Sequence, residues 1–260
     1  MAKKENIVLV GAGNLATHLG IALKRSGHQI IQVYSPGGKT ARLLAKTLGA
    51  ESTGEIKKIR KDATLYIIAV KDDAIETVSG ELHLKDQVVV HTSGSVKMNV
   101  LKKSSKNIGV LYPLQTFSKS QKTDFKNVPL CLESNSEAAA GLLAKVAGSI
   151  SGHIQAVSSE QRRALHLSAV FACNFSNHMY RIAELILSSE KMSFDLLKPL
   201  IMETAEKVQN ASPSVMQTGP AARGDLKTIK AHLKLLKHDK KLRSIYQLLS
   251  ASIIETDKKL

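Results

Sequence analysis

The chain has 260 residues, 43% of them hydrophobic, with few aromatics and no tryptophan, enough for two modest domains with real cores. No apolar run approaches the ~20 residues of a membrane span, and the amino-terminal MAKKEN has no apolar signal core, so a cytoplasmic protein off the membrane is expected. Lysines and arginines number 37 against 22 acidic residues, a formal charge of +15, but they are dispersed, as on the helical face Lys227, Lys230, Lys234 and Lys237, without interleaved aromatics; this reads as solvated surface with attraction for an anionic small molecule rather than as a nucleic-acid interface.

Up to about residue 155, short apolar runs (ENIVLV, QIIQVY, TLYIIAV, QVVVH, NIGVLY and VPLCLE) alternate with helical patterns such as residues 40–48 and 74–82. Runs without polar alternation are buried on both faces, which predicts a parallel sheet covered by helices, an α/β doubly wound domain over residues 1–155. From Ser158 the apolar period becomes 3.6 and strands vanish. Residues 159–188, 193–210, 225–236 and 239–256 all read as helices, predicting an all-helical domain over residues 156–260. Cys131 and Cys173 fall in a strand run and a helix run, with no CxxC spacing and no clustered histidine. They are expected to be buried small hydrophobes, in neither a disulfide nor a metal site.

Gly11, Gly13 and Ala16 form G-x-G-x-x-A between the first strand and the first helix. Gly11 permits the tight turn, Gly13 lets backbone amides approach a pyrophosphate, and Ala16 lets helix and strand pack closely. Asn14 and Leu15 lie on the same turn, where unpaired N–H groups and the helix dipole favour phosphate. The second strand does not end on the acid that would hold the ribose of NAD. It runs into YSPGGKTAR, so that Ser35, Lys39 and Arg42 could surround a 2′-phosphate; NADP is expected in preference to NAD. An exposed helix face is the alternative for Lys39 and Arg42.

Val70 and Lys71 end one strand, and His91-Thr92-Ser93-Gly94-Ser95 ends another, both at the carboxyl edge where open α/β sheets bind ligands. Thr92 and Ser93 offer hydroxyls near the expected nicotinamide; a plain strand-to-helix turn capped by Ser95 is the alternative. In YPLQTFSK, Pro113 ends a strand while Gln115 and Thr116 are candidates for a cleft wall.

GAGNLA, IIAVKDDAI, HTSGSV, GVLYPLQTFSK, LHLSAVFACNFSNHMY and TGPAARGD together resemble, over the full length, the Rossmann-like reductases with a helical carboxy-terminal domain. That group includes pyrroline-5-carboxylate reductase, the deazaflavin-dependent NADP reductases and the 6-phosphogluconate and 3-hydroxyacid dehydrogenases; a bacterial branch of it is the nearest. The resemblance implies a nicotinamide-dependent oxidoreductase, a homodimer formed through the helical domain, and an active site between the domains. Better-known members carry a lysine and an asparagine one turn apart on the long helix. If Asn174 is that asparagine, Val170 stands at the lysine position, so their mechanism does not transfer.

The long helix offers His166, Asn174 and His178 instead. At 100° per residue their spacings rotate by about 80° and 40°, placing all three on one broad face of an ideal α-helix. A histidine there can act as general acid toward a carbonyl or imine as hydride arrives. His166, near the helix start, is the first choice, with Asn174 and Ser93 positioning the substrate; a partly buried, hydrogen-bonded structural histidine is the alternative. In GPAARGD, Asp225 is placed to cap the following helix. Arg223 is a candidate clamp for an anionic group of the substrate or a salt-bridge partner. The expected protein is an NADP-dependent reductase of a small C=O or C=N substrate, the competing class being a non-catalytic dinucleotide-binding or sensor protein.

Overall fold

A computed structural model describes residues 4–118 and 121–257. The first three residues of MAKKEN, and Lys119 at the end of YPLQTFSK, lie outside the described residues. The chain divides into two compact units, residues 1–172 and 173–260. The expected change at residue 155 marks where strands stop; the first unit nevertheless continues through the next helix, because Arg162 and His166 of that helix are bonded to strands and loops of the sheet.

The first unit is built on one eight-stranded sheet: β1 (Asn6–Val10), β2 (Gln29–Tyr34), β3 (Glu51–Thr53), β4 (Leu65–Ile68), β5 (Val88–His91), β6 (Asn107–Pro113), β7 (Leu130–Ser134) and β8 (Ile154–Ala156), in the order β3-β2-β1-β4-β5-β6-β7-β8. Every neighbouring pair is parallel except β6 and β7, which are antiparallel. The sheet is parallel as expected except at that pair. Among the described residues, the segment joining β6 to β7 has only a short 3₁₀ turn, Phe125–Asn127, and no crossover helix to carry the chain back to a parallel start.

The helices α1 (Asn14–Arg25), α2 (Lys39–Leu48), α3 (Ile75–Gly80) and α4 (Glu137–Gly148) connect the strands. Successive residues of β1 serve opposite faces, as the pleat requires. Ile7 and Leu9 pack with Leu19 of α1, Leu44 of α2 and Leu143 of α4; Val8 and Val10 pack with Ile75 of α3 and Leu101. The chain winds outward from β1 to β3, then returns to place β4 on the other side of β1. The carboxyl ends of β1 and β4 thus flank the point where strand order reverses, the crevice position in folds of this kind.

The long helix begins with α5 (Ser159–Ala169), passes through a π-helical turn (Val170–Phe175) and continues as α6 (Ser176–Ser189). The second unit adds α7 (Lys198–Asn210), α8 (Pro213–Met216), α9 (Leu226–Leu235) and α10 (Lys240–Asp257), so it is helical as expected. No helix is long and apolar enough to cross a membrane among the described residues. Cys131 on β7 is buried as expected, but Cys173, in the π turn, is exposed.

Candidate active site at the carboxyl edge of the sheet

At the end of β1 the glycine turn has the geometry its sequence implies. Gly11 adopts φ +126°, and a β-carbon there would lie 2.2 Å from the carbonyl oxygen of Ala69, so only glycine fits between the ends of β1 and β4. Gly13 is the N-cap of α1, with no side-chain cap and no acidic residue in the first turn. A β-carbon at Gly13 would meet no protein atom within 4 Å and would fill the hollow in front of the first turn. These uncapped amides and this hollow fit a pyrophosphate. Ala16 is fully buried, as close helix–strand packing demands. The Asn14 side chain donates to the carbonyl of Phe117 at 3.1 Å, leaving its backbone to serve a phosphate.

The loop after β2 turns through Gly37 and Gly38, both left-handed, and starts α2 without a side-chain cap or an acidic residue in its first turn. The Thr40 hydroxyl donates to Ser35 Oγ at 2.9 Å. Lys39 and Arg42 are exposed, and neither forms a salt bridge among the described residues. Ser35 precedes α2 and the two cations stand in its first turns, a set suited to a phosphate monoester.

After β5 the HTSGS loop is held from below. Ser93, nearly buried, accepts the amides of Ser95 and Val96 at 3.1 and 3.0 Å, while Ser95 reaches sideways to Asp72 at 2.5 Å. The turn is therefore organised by Ser93, not capped by Ser95. Thr92 is buried and bonds back to the Ile68 carbonyl at 3.4 Å. Beneath the loop sits Arg162 of α5, with none of its surface exposed. One guanidinium nitrogen donates to the carbonyls of Ser93 and Gly94 at 2.9 and 3.1 Å; the other donates to Glu133 at 3.0 Å and Ser159 Oγ at 3.2 Å.

Gly94 then passes directly against His166. A β-carbon there would lie 2.6 Å from His166 Nδ1 and 2.9 Å from Tyr112 Cζ, so glycine is required by close approach even without a positive φ. His166 Nδ1 is 3.0 Å from the Tyr112 hydroxyl, the two rings meeting edge to face. Loop, phenol and imidazole are assembled at the same carboxyl edge as the glycine turn. Among the described residues no group of three or more histidine, cysteine or acidic side chains is arranged to hold a metal ion.

Asn174, His178 and Arg223 belong to the second unit and are exposed. The π turn over residues 170–175 breaks the 100° count that set His166, Asn174 and His178 on one face, since a π turn takes more residues per turn than an α turn. The ideal-helix face is corrected accordingly. Asp225 caps α9 as expected, accepting the Thr228 amide at 3.0 Å. Gln115 is exposed and folds back, accepting its neighbour's amide at 2.8 Å. Val70 flanks Gly11, and Lys71 opens the turn before α3. Arg162 and Tyr112 are not apparent from sequence: an arginine in Glu-Gln-Arg-Arg has the signature of a solvated first helical turn, and Tyr112 that of one more apolar strand residue. The one available signal was the SGS glycine, which implies something packed tightly against it.

Residues 6–94 match a family model described as NADP oxidoreductase coenzyme F420-dependent, and residues 128–253 match a domain of unknown function, DUF2520. Curated proteins provide no match. Among solved structures, a Bacteroides fragilis protein provisionally described as an NADP oxidoreductase is 44% identical, with a TM-score of 0.90 over 97% of this chain and 98% of that one. The fold is also similar to 1-pyrroline-5-carboxylate reductase from Streptococcus pyogenes, at 14% identity and a TM-score of 0.64 over 99% of both chains. An imine reductase from Myxococcus stipitatus in complex with NADP+ is likewise 14% identical, with a TM-score of 0.63 over 98% of this chain and 93% of that one. The chain belongs to the oxidoreductase family of the Bacteroides fragilis protein, a Rossmann-like NADP oxidoreductase domain followed by a DUF2520 helical domain.

Proposed function

We propose that the protein is an NADP-dependent reductase of a small C=O or C=N compound and that His166 donates the proton. The observation that carries this reading is the glycine turn: Gly11 wedged against Ala69 and Gly13 leaving the uncapped start of α1 open to a diphosphate. Bound NADPH would supply the hydride. The protein's own share is to hold cofactor and substrate in register and to move one proton. Ser35, Lys39 and Arg42 favour the 2′-phosphate, because two cations without acidic partners among the described residues stand at an uncapped helix start. The backbone of Val70 and Lys71 and the side chain of Thr92 are assigned to the route from the diphosphate to the HTSGS loop. That loop is held rigid by Arg162; Ser93 acts through its shape, its hydroxyl already accepting two amides.

His166 would protonate the substrate oxygen or nitrogen from Nε2, which has no protein partner among the described residues. Asn174, His178, Gln115 and Arg223 are the polar groups proposed for substrate orientation. The working form is proposed to be a homodimer through the helical unit. Thermal unfolding with NADPH, with NADH and with neither tests the cofactor assignment. Ligand at ~100 times its dissociation constant stabilises the native state by about 2.7 kcal/mol. NADPH is expected to raise the midpoint well above NADH at equal concentration; equal shifts would remove the role given to Lys39 and Arg42, and no shift with either would sink the reductase reading.

A further inference from the structure

The contact between Tyr112 and His166 carries information about where the proton of the imidazole sits. Tyr112 is 9% exposed, and burial pushes its phenol above the ordinary tyrosine value, so the hydroxyl keeps its hydrogen at neutral pH. That hydrogen needs an acceptor, since a buried O–H without one is costly. Among the described residues the only acceptor in reach is Nδ1 of His166, at 3.0 Å. If the neutral ring carried its hydrogen on Nδ1, two donors would face each other or the phenol hydrogen would be left unpaired. If it carries the hydrogen on Nε2, the phenol donates to Nδ1 and both groups are satisfied.

We infer that Tyr112 is a positioning residue that occupies Nδ1 of His166, fixes the neutral ring in the Nε2–H form and leaves Nε2 as the nitrogen that meets substrate. This rests on the reading of His166 as the proton donor. Three features hold the pair in place. Gly94 runs close beside both rings, where a β-carbon would clash with each. The carbonyls of Ser93 and Gly94 are pinned from below by Arg162. Tyr112 itself stands on β6, paired with Cys131 of β7, so its hydroxyl is held by the sheet. When the ring is doubly protonated the bond reverses, Nδ1–H donating to the phenol oxygen. Loss of the Nε2 proton to substrate then leaves a neutral ring with its hydrogen on Nδ1, the form the phenol disfavours, and uptake of a solvent proton at Nε2 recharges the donor.

The test is ¹⁵N correlation spectroscopy of the imidazole nitrogens in the protein without cofactor or substrate, at a pH where the ring is neutral, with His166 assigned from His166→Gln. The wild type is expected to show an unprotonated Nδ1 and a hydrogen on Nε2. Tyr112→Phe, which keeps the aromatic ring against Gly94, is expected to lower the ratio of the Nε2–H to the Nδ1–H form about fivefold, the factor one neutral hydrogen bond of ordinary strength supplies. A wild-type ring with its hydrogen on Nδ1, or a ratio unchanged in Tyr112→Phe, overturns the inference. Should Tyr112→Phe fail to fold, the wild-type spectrum decides alone. Because no ligand is present, a locked tautomer in a protein whose unfolding ignores NADPH would sink the reductase reading and leave this one standing.

Discussion

Arg162 gives up all its contact with water to hold two carbonyls of a loop, and His91 lies close to that cation. Taking a guanidinium out of water costs several kcal/mol, recovered only with near-complete pairing. Here Glu133 supplies the opposite charge, and Ser93, Gly94 and Ser159 supply further acceptors. His91, fully buried at the end of β5, accepts the Ser93 amide on Nδ1 at 3.2 Å. Protonating Nδ1 would destroy that bond and set a second cation beside Arg162. Burial first and the Arg162 charge second push His91 down to about 4, while a backbone group of Lys97 and the carboxylate of Asp72 pull weakly the other way. The sign follows directly. Between about pH 6.5 and 4 the unfolded chain binds a proton at His91 that the native protein refuses, so stability is full above pH 6.5 and falls as pH drops through that window, by up to about 3 kcal/mol. Urea unfolding midpoints measured from pH 7 to pH 4 are expected to show this fall, and His91→Gln to flatten it; a variant with the wild-type slope would assign the loss to other groups.

At the scale of elements, the start of α5 decides whether Arg162 and His166 arrive where they do. Ser158 accepts the Gln161 amide at 3.2 Å, and Gln161 in turn accepts the Ser158 amide at 2.8 Å, a reciprocal cap that fixes the first turn. Ser158→Ala is expected to cost about 1 kcal/mol, read as a lower urea midpoint, and Ser158→Asp to restore most of it. An unchanged midpoint in Ser158→Ala would mean that packing alone fixes this turn. The glycine turn after β1 and the Asp225 cap were legible because each is written in neighbouring residues. Other features depend on partners far along the chain. VPLCLE has the apolar make-up of a parallel strand, and only the connection before it makes β7 antiparallel. The burial of Arg162 depends on carbonyls of Ser93 and Gly94, some seventy positions away, and the role of Tyr112 on His166, more than fifty away. The π turn at Val170–Phe175 has no composition of its own: its residues are those of an ordinary amphipathic helix, and one additional residue within the turn is enough to undo a face drawn at 100° per residue.

The molecule as a whole is unevenly furnished with core. The three clusters of buried apolar residues all lie within the first unit. In the second unit Ala221 and Ile229 are the only buried hydrophobics among the described residues, while Leu196, Leu200, Met202, Val215, Leu235 and Leu248 are each at least 60% exposed. A helical unit of this length cannot offset its chain entropy with two buried side chains, and apolar surface on several of its helices is what an obligate interface resembles before it closes. A second copy of the chain can cover it, helix against helix, with the burial of each 100 Å² of apolar surface contributing about 2.5 kcal/mol. Sedimentation equilibrium at micromolar concentration is expected to give a dimer, and the unfolding midpoint to rise with protein concentration, because dissociation and unfolding are then linked. Leu200→Glu combined with Leu248→Glu should shift the protein toward monomer and expose the helical unit to protease, while the sheet unit, whose core is complete within one chain, stays resistant. A monomer in which the helical unit resists protease and unfolds cooperatively at a concentration-independent midpoint would refute the dimer, since its stability would then owe nothing to a second chain.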